Sequence, residues 1–313
     1  MKYKDLITAK IIADSVTPSG SRITTMEIEY PRFILAELNT HRMLSKNSAS
    51  SRAIPAKALR EHIKLNSAGP VYWGRNQAGM QAKESLSGPD LTEATYVWEK
   101  ARSDAIGWSE ILSEKLNLHK QIANRITEPW MTMKTVISGT EWANFYYLRD
   151  HSDAQPEIRE LAHKMYLAHQ ASAPQLLYPG EWHVPYINTN RNPGGVVAYS
   201  DSQGRELSAE DATTVSASCC AQVSYRKNDD TLEKAKKIYD QLIYSKPAHA
   251  SPVEHQATPM DLATTCAYEP ETWQRGVTHV SANGDLWSGN LRGWIQFRKL
   301  IPDEAVWGQL EST

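Results

Sequence analysis

Thr40-His-Arg-Met-Leu-Ser-Lys-Asn-Ser-Ala-Ser-Ser-Arg52 follows the apolar run Phe33, Ile34, Leu35, Ala36 and Leu38. Three cations, one imidazole, four serine hydroxyls and an amide crowd into this one segment. Few structural tasks need that mixture. Hydroxyls, amides and guanidinium forks are the groups that hold a phosphate and a planar heterocycle. The spacing suggests a loop-to-helix segment with its donors on one side. The competing reading is a solvated polar loop whose serines cap a helix.

Upstream, Leu6–Ala13 and Thr24–Tyr30 read as two strands, the second with a period near two. Pro18-Ser19-Gly20 reads as the turn between them. Pro31 opens the apolar run, which is expected to be helical. Downstream, Ala56–Leu65 reads as a short helix and 66–90 as loop. Apolar periodicity predicts a helix over about 92–116, and another from near Leu118 that stops before Pro129. Thr140–Gln170 is helix-forming, with Pro156 expected to kink or break it. Residues 182–211 are rich in Pro, Gly, Asn, Ser and Asp and read as a long loop or linker. A helix over about Asp230–Tyr244 follows Tyr225-Arg-Lys-Asn228, and 284–301 reads as a last strand or hairpin arm. The expected fold class is α+β, a mixed sheet with packed helices in a single large domain. Residues 1–181 form its core, 182–211 a linker, and 212–313 complete the same domain and add a C-terminal extension.

Composition narrows the function classes. The chain has 313 residues, 41% of them apolar and 22% charged, which fits a globular protein. The net charge of −2 gives no global field to hold nucleic acid or an anionic membrane, so any phosphate site must be local. Ten Trp and fourteen Tyr against three Phe suit half-wet interfaces and ligand walls. The three cysteines, Cys219, Cys220 and Cys266, lack zinc-ligand spacing and are odd in number, which argues against a disulfide framework or structural metal and for a cytoplasmic setting. The apolar stretch near the start is too short for a signal peptide or membrane span. There is no Walker loop, no GxGxxG and no HExxH.

Two further clusters carry chemistry. In Thr140–Arg159, a continuous helix would put Asn144, Leu148, His151 and Gln155 on one face, with Arg149 about 140° away from Asn144. Arg149 could instead pair with Asp153 four residues on. In the third cluster, Ala221-Gln-Val-Ser-Tyr225 precedes a helix and then His249-Ala-Ser-Pro-Val-Glu-His255. The two histidines and Glu254 fit no common zinc spacing, and Ser-Pro favours a turn, so no metal is expected.

Taken together, the three clusters resemble the flavin-dependent thymidylate synthase family (ThyX). Its signature, RHRxxSxNxxSxR, is matched by His41, Arg42, Ser45, Asn47, Ser50 and Arg52, with Thr40 in place of the first Arg. The family's N-F-x-x-L-R…AQ-x-E-I pattern is similar to Asn144-Phe-Tyr-Tyr-Leu-Arg149…Ala154-Gln-Pro-Glu-Ile158. The segments that normally come first, A-R-V-S-Y/F and H-x-S/T-P-x-E-H, are similar to Ala221–Tyr225 and His249–His255, which here follow the rest. The chain therefore looks like a circularly permuted, divergent member. The resemblance covers roughly 24–52, 92–170 and 215–258.

The resemblance implies FAD, NADPH and 5,10-methylenetetrahydrofolate as cofactors, dUMP as default substrate with dTMP as product, and a homotetramer with intersubunit sites. It implies that His41, Arg42, Asn47, Asn144 and His255 bind FAD. It implies that Ser48, Ser50, Arg52 and Arg125 bind the nucleotide, with Asn124 the competitor for Arg125. Arg149 would contact the pyrimidine and, with Ser50, take part in catalysis by setting positive charge where negative charge develops.

The departures are specific. Besides Thr40, Ser48 stands for Glu, Ala53 for Tyr, Glu37 for a nucleotide-binding Gln and Thr140 for a flavin-binding Arg. Arg292 or Arg298, in Gly289–Arg298, is the candidate replacement cation, against an ordinary edge strand. The altered signature keeps two other outcomes open. One is C5 hydroxymethylation of dCMP or dUMP, where Glu37 could accept from a cytosine amine. The other is a nucleotide-binding relative without catalysis.

Overall fold

The computed structural model describes residues 3–224, 229–245 and 248–305. β1 (Thr8–Val16) and β2 (Arg22–Pro31) form an antiparallel hairpin. Its turn carries Gly20 at φ 89°, a conformation that strains any residue with a Cβ. α1 (Leu35–Asn39) ends the apolar run. The signature is not a loop-to-helix segment, because its middle is β3 (Ser45–Ser48), an edge strand. α2 (Ala56–Leu65) has the expected bounds. α3 (Gly88–Glu110) starts with Pro89 in its first turn and runs into a π-helical turn at Ile111–Lys115. The helix expected before Pro129 is one turn, α4 (Lys120–Ala123), and a 3-10 stretch, Arg125–Trp130, that takes in the proline. β4 (Thr132–Gly139) leaves no alternation in the sequence because both its faces are buried.

α5 (Ala143–Arg149) and α6 (Pro156–Ala171) are separate helices, and Pro156 opens the second. The single face drawn through Asn144, Leu148, His151 and Gln155 therefore does not exist. β5 (Gln175–Leu176) closes the first half. Residues 182–211 are not all irregular: β6 (Asn188–Arg191), β7 (Val197–Ser200) and β8 (Glu206–Leu207) form an antiparallel meander. Buried Val197 and Tyr199 anchor it to the core. α7 (Ala209–Ala221) follows, with Ser208 Oγ accepting from the Asp211 N–H at 3.0 Å as its cap. α8 (Leu232–Ile243), β9 (Ala257–Pro259) and β10 (His279–Val280) come next. The expected last strand or hairpin arm is three short strands, β11 (Leu286–Ser288), β12 (Leu291–Arg292) and β13 (Trp294–Gln296). Tyr225–Asn228 lies outside the described residues. Among the described residues no helix is long and apolar enough to cross a membrane.

The architecture is mixed α+β. The main sheet has the order β3-β4-β2-β1-β5, with β5 parallel to β1 and the other pairs antiparallel. Strand periodicity gives the sheet two faces. Met26, Ile28 and Tyr30 of β2 and Met133 and Ile137 of β4 lie on one face, in a core shared with Leu38, Phe145, Ile158, Leu161 and Met165. The opposite face carries Thr25 and Ser138, a directly opposed pair, and Val136, which packs on Cys220 and Val223. So the N-terminal helices cover one face and the C-terminal half covers the other. β3 pairs with β4 as Ser45↔Ser138 and Asn47↔Val136. Ser45 and Asn47 therefore face the C-terminal half, and Lys46 and Ser48 face the N-terminal helices.

Candidate active site

Arg149, the last residue of α5, reaches back to the start of the signature. Its Nε donates to His41 Nε2 at 2.8 Å, and its Nη2 donates to Thr40 Oγ1 at 3.2 Å. Its Nη1 lies 3.5 Å from Glu37 Oε2. The Asp153 partner suggested by helical spacing is not used, because the helix ends at Arg149. A guanidinium has five N–H donors, so part of its edge stays available. Because His41 Nε2 accepts, its proton sits on Nδ1 and the ring is neutral. Partial burial, with Arg149 and Lys46 beside it, pushes the His41 pKa down to about 4. The ring also meets Phe145 edge-on at 4.9 Å between centroids. Glu37 does not confront a phosphate bare, since the Arg149 cation lies against it.

The rest of the signature divides by side-chain direction. Arg42 and Arg52 are exposed, and neither guanidinium has a hydrogen bond or ion pair among the described residues. Ser48 Oγ lies 2.8 Å from Thr135 Oγ1, which in turn meets the Tyr30 hydroxyl at 2.8 Å. Ser50 accepts from the Arg52 N–H at 3.3 Å, holding the turn that ends the signature. Lys46 Nζ donates to the carbonyls of His41 and Leu44 at 2.5 and 2.8 Å. Burial pulls the Lys46 amine down to about 8. Gly139 permits the crossing of this segment over the end of β4: a Cβ there would stand 2.5 Å from Leu44 Cδ2.

The Asn124 and Arg125 alternatives separate cleanly. Asn124 is buried and donates to the carbonyls of Ser51 and Ile54 at 2.7 and 3.0 Å. It holds the signature's exit. Arg125 is half-exposed and donates to Glu128 at 2.8 Å, and Glu128 also accepts from Ser51 Oγ and pairs with Arg32. Asn144 is exposed in the first turn of α5.

The C-terminal half is stitched to the signature. Asn47 donates to the Cys220 carbonyl at 2.6 Å and accepts from Ser251 Oγ at 3.2 Å. Asn290 donates to the Met43 carbonyl at 3.2 Å and to Ser45 Oγ at 3.0 Å. The Arg292 backbone N–H donates to Thr140 Oγ1 at 3.1 Å, and its Nε donates to Glu141 at 2.6 Å. Arg292 thus stands beside the position where the resemblance expects a cation. Both candidate cations are ion-paired, Arg292 with Glu141 and, at 3.7 Å, Asp285, and Arg298 with Glu254 and Glu304.

His255 has no accessible surface. Its Nδ1 meets Ser138 Oγ at 2.8 Å, and its Nε2 is buried with no hydrogen-bond partner among the described residues. Burial, with His183 nearby, pulls its pKa down to about 3. It therefore lies behind the exposed cations rather than among them. Sequence reading passed over Asn290, Ser138 and His183. None sits in a charged or periodic pattern, and only strand register brings them to the site. An open groove of about 760 Å³, lined in part by Trp98, Pro129 and Trp130, contains none of the signature residues. Among the described residues no three His, Cys, Asp or Glu side chains gather as a metal site.

Residues 21–175 match the model of the family described as thymidylate synthase complementing protein. No curated protein matches the chain in sequence. Among solved structures, the chain is similar to a UMP/dUMP methylase, PolB from Streptomyces cacaoi, crystallised with 5-Br UMP. The two are 16% identical over 52% of this chain and 88% of that chain, with a TM-score of 0.43. The region holding the signature, its sheet and the arginine that closes on it therefore belongs, over residues 21–175, to the thymidylate synthase complementing protein family.

Proposed function

We propose that the protein transfers one carbon to C5 of a pyrimidine deoxynucleoside monophosphate, with dUMP to dTMP as the default reaction. The observation that carries this reading is the meeting of Arg149 with His41 and Glu37, in a signature whose cations Arg42 and Arg52 are exposed and have no side-chain partner among the described residues. Two motifs over a hundred residues apart supply one cluster. Arg149, oriented by neutral His41 and by Thr40, presents its remaining donors to the pyrimidine and stabilises negative charge there. Ser50, Ser48, Arg52 and Arg125 bind the nucleotide and its phosphate.

The donor set also fits FAD, a dianionic dinucleotide. Arg42, Asn144 and Arg292 would hold it, with Arg292 standing in for the cation missing at Thr140. The bound flavin would supply hydride storage, taken from NADPH, with methylenetetrahydrofolate as carbon donor. Asn47 and His255 support this site from behind, through Ser251, Cys220 and Ser138. Family members of this kind work as homotetramers, and the same assembly is proposed here in a cytoplasmic setting. The segment His249–His255, displaced to the C-terminal half, is read as a permuted element of the same site.

Glu37 favours a second reading. Its carboxylate is partly exposed beside Arg149 and can accept from the exocyclic amine of cytosine. Hydroxymethylation of dCMP then becomes the alternative to methylation of dUMP. The test is an absorption spectrum of the purified protein, followed by mass spectrometry of products from dUMP and dCMP with folate and NADPH. Flavin absorbance with a methylated or hydroxymethylated product supports an enzyme and chooses between the readings. Nucleotide binding without flavin or product refutes catalysis.

A further inference from the structure

Five buried groups form a continuous hydrogen-bonded chain on the sheet face that meets the C-terminal half. Ser15 Oγ lies 2.9 Å from His183 Nδ1, and His183 Nε2 lies 2.8 Å from Thr25 Oγ1. Thr25 Oγ1 lies 2.6 Å from Ser138 Oγ, and Ser138 Oγ lies 2.8 Å from His255 Nδ1. All five side chains are 4% exposed or less. The chain begins at a cavity of about 180 Å³ lined in part by Asp14, Ser15, Gln175, His183 and Thr189, roomy enough for water. It ends at His255 Nε2, which is buried and unpartnered among the described residues.

Each hydroxyl has one proton to donate, so the chain has only two self-consistent directions. In one, Ser15 donates to His183 Nδ1, and His183 Nε2–H donates to Thr25. Thr25 then donates to Ser138, and Ser138 donates to His255 Nδ1, which leaves the proton of His255 on Nε2. In the other, every bond is reversed and both rings carry their proton on Nδ1. A mixed arrangement leaves either a proton without an acceptor or two facing lone pairs, oxygen on oxygen or nitrogen on oxygen, with no proton between them, a penalty of about tenfold or more in population. Both rings are neutral, since burial lowers the pKa of His183 to about 4 and that of His255 to about 3. Two neighbouring carboxylates are engaged elsewhere: Asp14 with Arg22 and Thr24, and Glu254, next in sequence to His255, with Arg298.

We propose that Ser15, His183, Thr25 and Ser138 form a proton relay that sets, from the cavity, whether His255 Nε2 is a hydrogen-bond donor or an acceptor. When the chain reverses, one proton leaves His255 Nε2 for a water that reaches the ring only as the protein opens locally, since this nitrogen has no accessible surface in the closed structure. The protons of Ser138, Thr25, His183 and Ser15 each move one place, and Ser15 is refilled by a proton from cavity water. Nothing is oxidised or reduced, and the chain keeps its charge. His183 is thus a positioning residue that acts through two hydroxyls. The idea rests on the proposed function only for where the released proton is used.

Ring-nitrogen NMR of the ¹⁵N-histidine-labelled protein tests it. The expected result is the same tautomer at His183 and His255, with His183→Gln and His255→Gln used for assignment. Ser15→Ala should shift the tautomer ratio of His255 at least about threefold in the wild-type background. The same change should leave that ratio unmoved when Thr25→Val cuts the chain. Opposite tautomers in the wild type, or a His255 ratio indifferent to Ser15→Ala, overturn the relay. Matched tautomers in a protein that makes no nucleotide product leave the relay standing and remove the proposed function instead.

Discussion

Acid should unfold this protein earlier than its composition suggests, and His183 should account for a measurable share. The perturbation is pH, with His183→Gln as control. His183 and His255 are fully buried and neutral, with pKa values lowered to about 4 and about 3. In the unfolded chain both return to about 6.5. Below that value the unfolded state binds more protons, so stability is lost as pH falls from about 6.5 towards 4. Integrated between pH 7 and pH 5, each ring removes about 2 kcal/mol, or about 4 kcal/mol for the pair. Against a typical total of about 5–15 kcal/mol, that is a large fraction. The local slope between pH 6 and 5 should be about 2 kcal/mol per pH unit from the two rings together.

The assay is reversible urea unfolding at half-unit pH steps. His183→Gln loses two hydrogen bonds and is less stable at every pH, but its slope is what matters. That slope should be shallower than the wild type by about 1 kcal/mol per pH unit. A variant slope equal to the wild-type slope would refute the argument, because the buried neutral ring would then not be what acid attacks.

Three shorter predictions test the stitching and the site. Asn47→Ala removes the bonds to the Cys220 carbonyl and to Ser251 Oγ, leaving a buried acceptor unmet, and should cost about 1–3 kcal/mol by urea unfolding. Arg42→Ala and Arg52→Ala should change stability by less than about 0.5 kcal/mol, yet weaken flavin or nucleotide binding by about tenfold or more in calorimetric titration. Gly139→Ala drives a methyl into Leu44 and should cost about 1–3 kcal/mol, with a further loss of product formation because Leu44 carries the signature.

What the sequence made legible is what carries a period or a charge. β1 and α2 are partly exposed, and β2, though mostly buried, alternates buried Met26, Ile28 and Tyr30 with partly exposed Glu27 and Glu29, so alternation or amphipathy survives in the residues. β4 and α7 are not legible for the same reason. Thr132–Gly139 is buried on both faces, and Ala209–Ala221 is built of small residues buried nearly all round. At the site, His41, Glu37 and Arg149 could be named from sequence, but their mutual contact could not. It depends on α5 ending at Arg149 instead of running on. Asn290 and His183 carry no local signal, since strand register alone assigns them partners.

That asymmetry explains how one short segment can be both a signature and a structural seam. On β3 the side chains alternate, so Ser45 and Asn47 turn to the C-terminal half while Lys46 and Ser48 turn to the helices. Both directions are needed, because β3 is an edge strand and an uncovered edge invites pairing with another chain. Asn47 and Ser45 cover it by binding Ser251, the end of α7, and Asn290. The residues flanking the strand, Arg42 and Arg52, are thereby left outside the seam, exposed and without a side-chain partner among the described residues. A substitution inside β3 should therefore act first through folding, and one at its flanks first through binding. Asn47→Ala and Arg42→Ala measured side by side, for stability and for ligand affinity, separate the two. An Arg42→Ala variant that loses stability but not affinity would reverse the assignment.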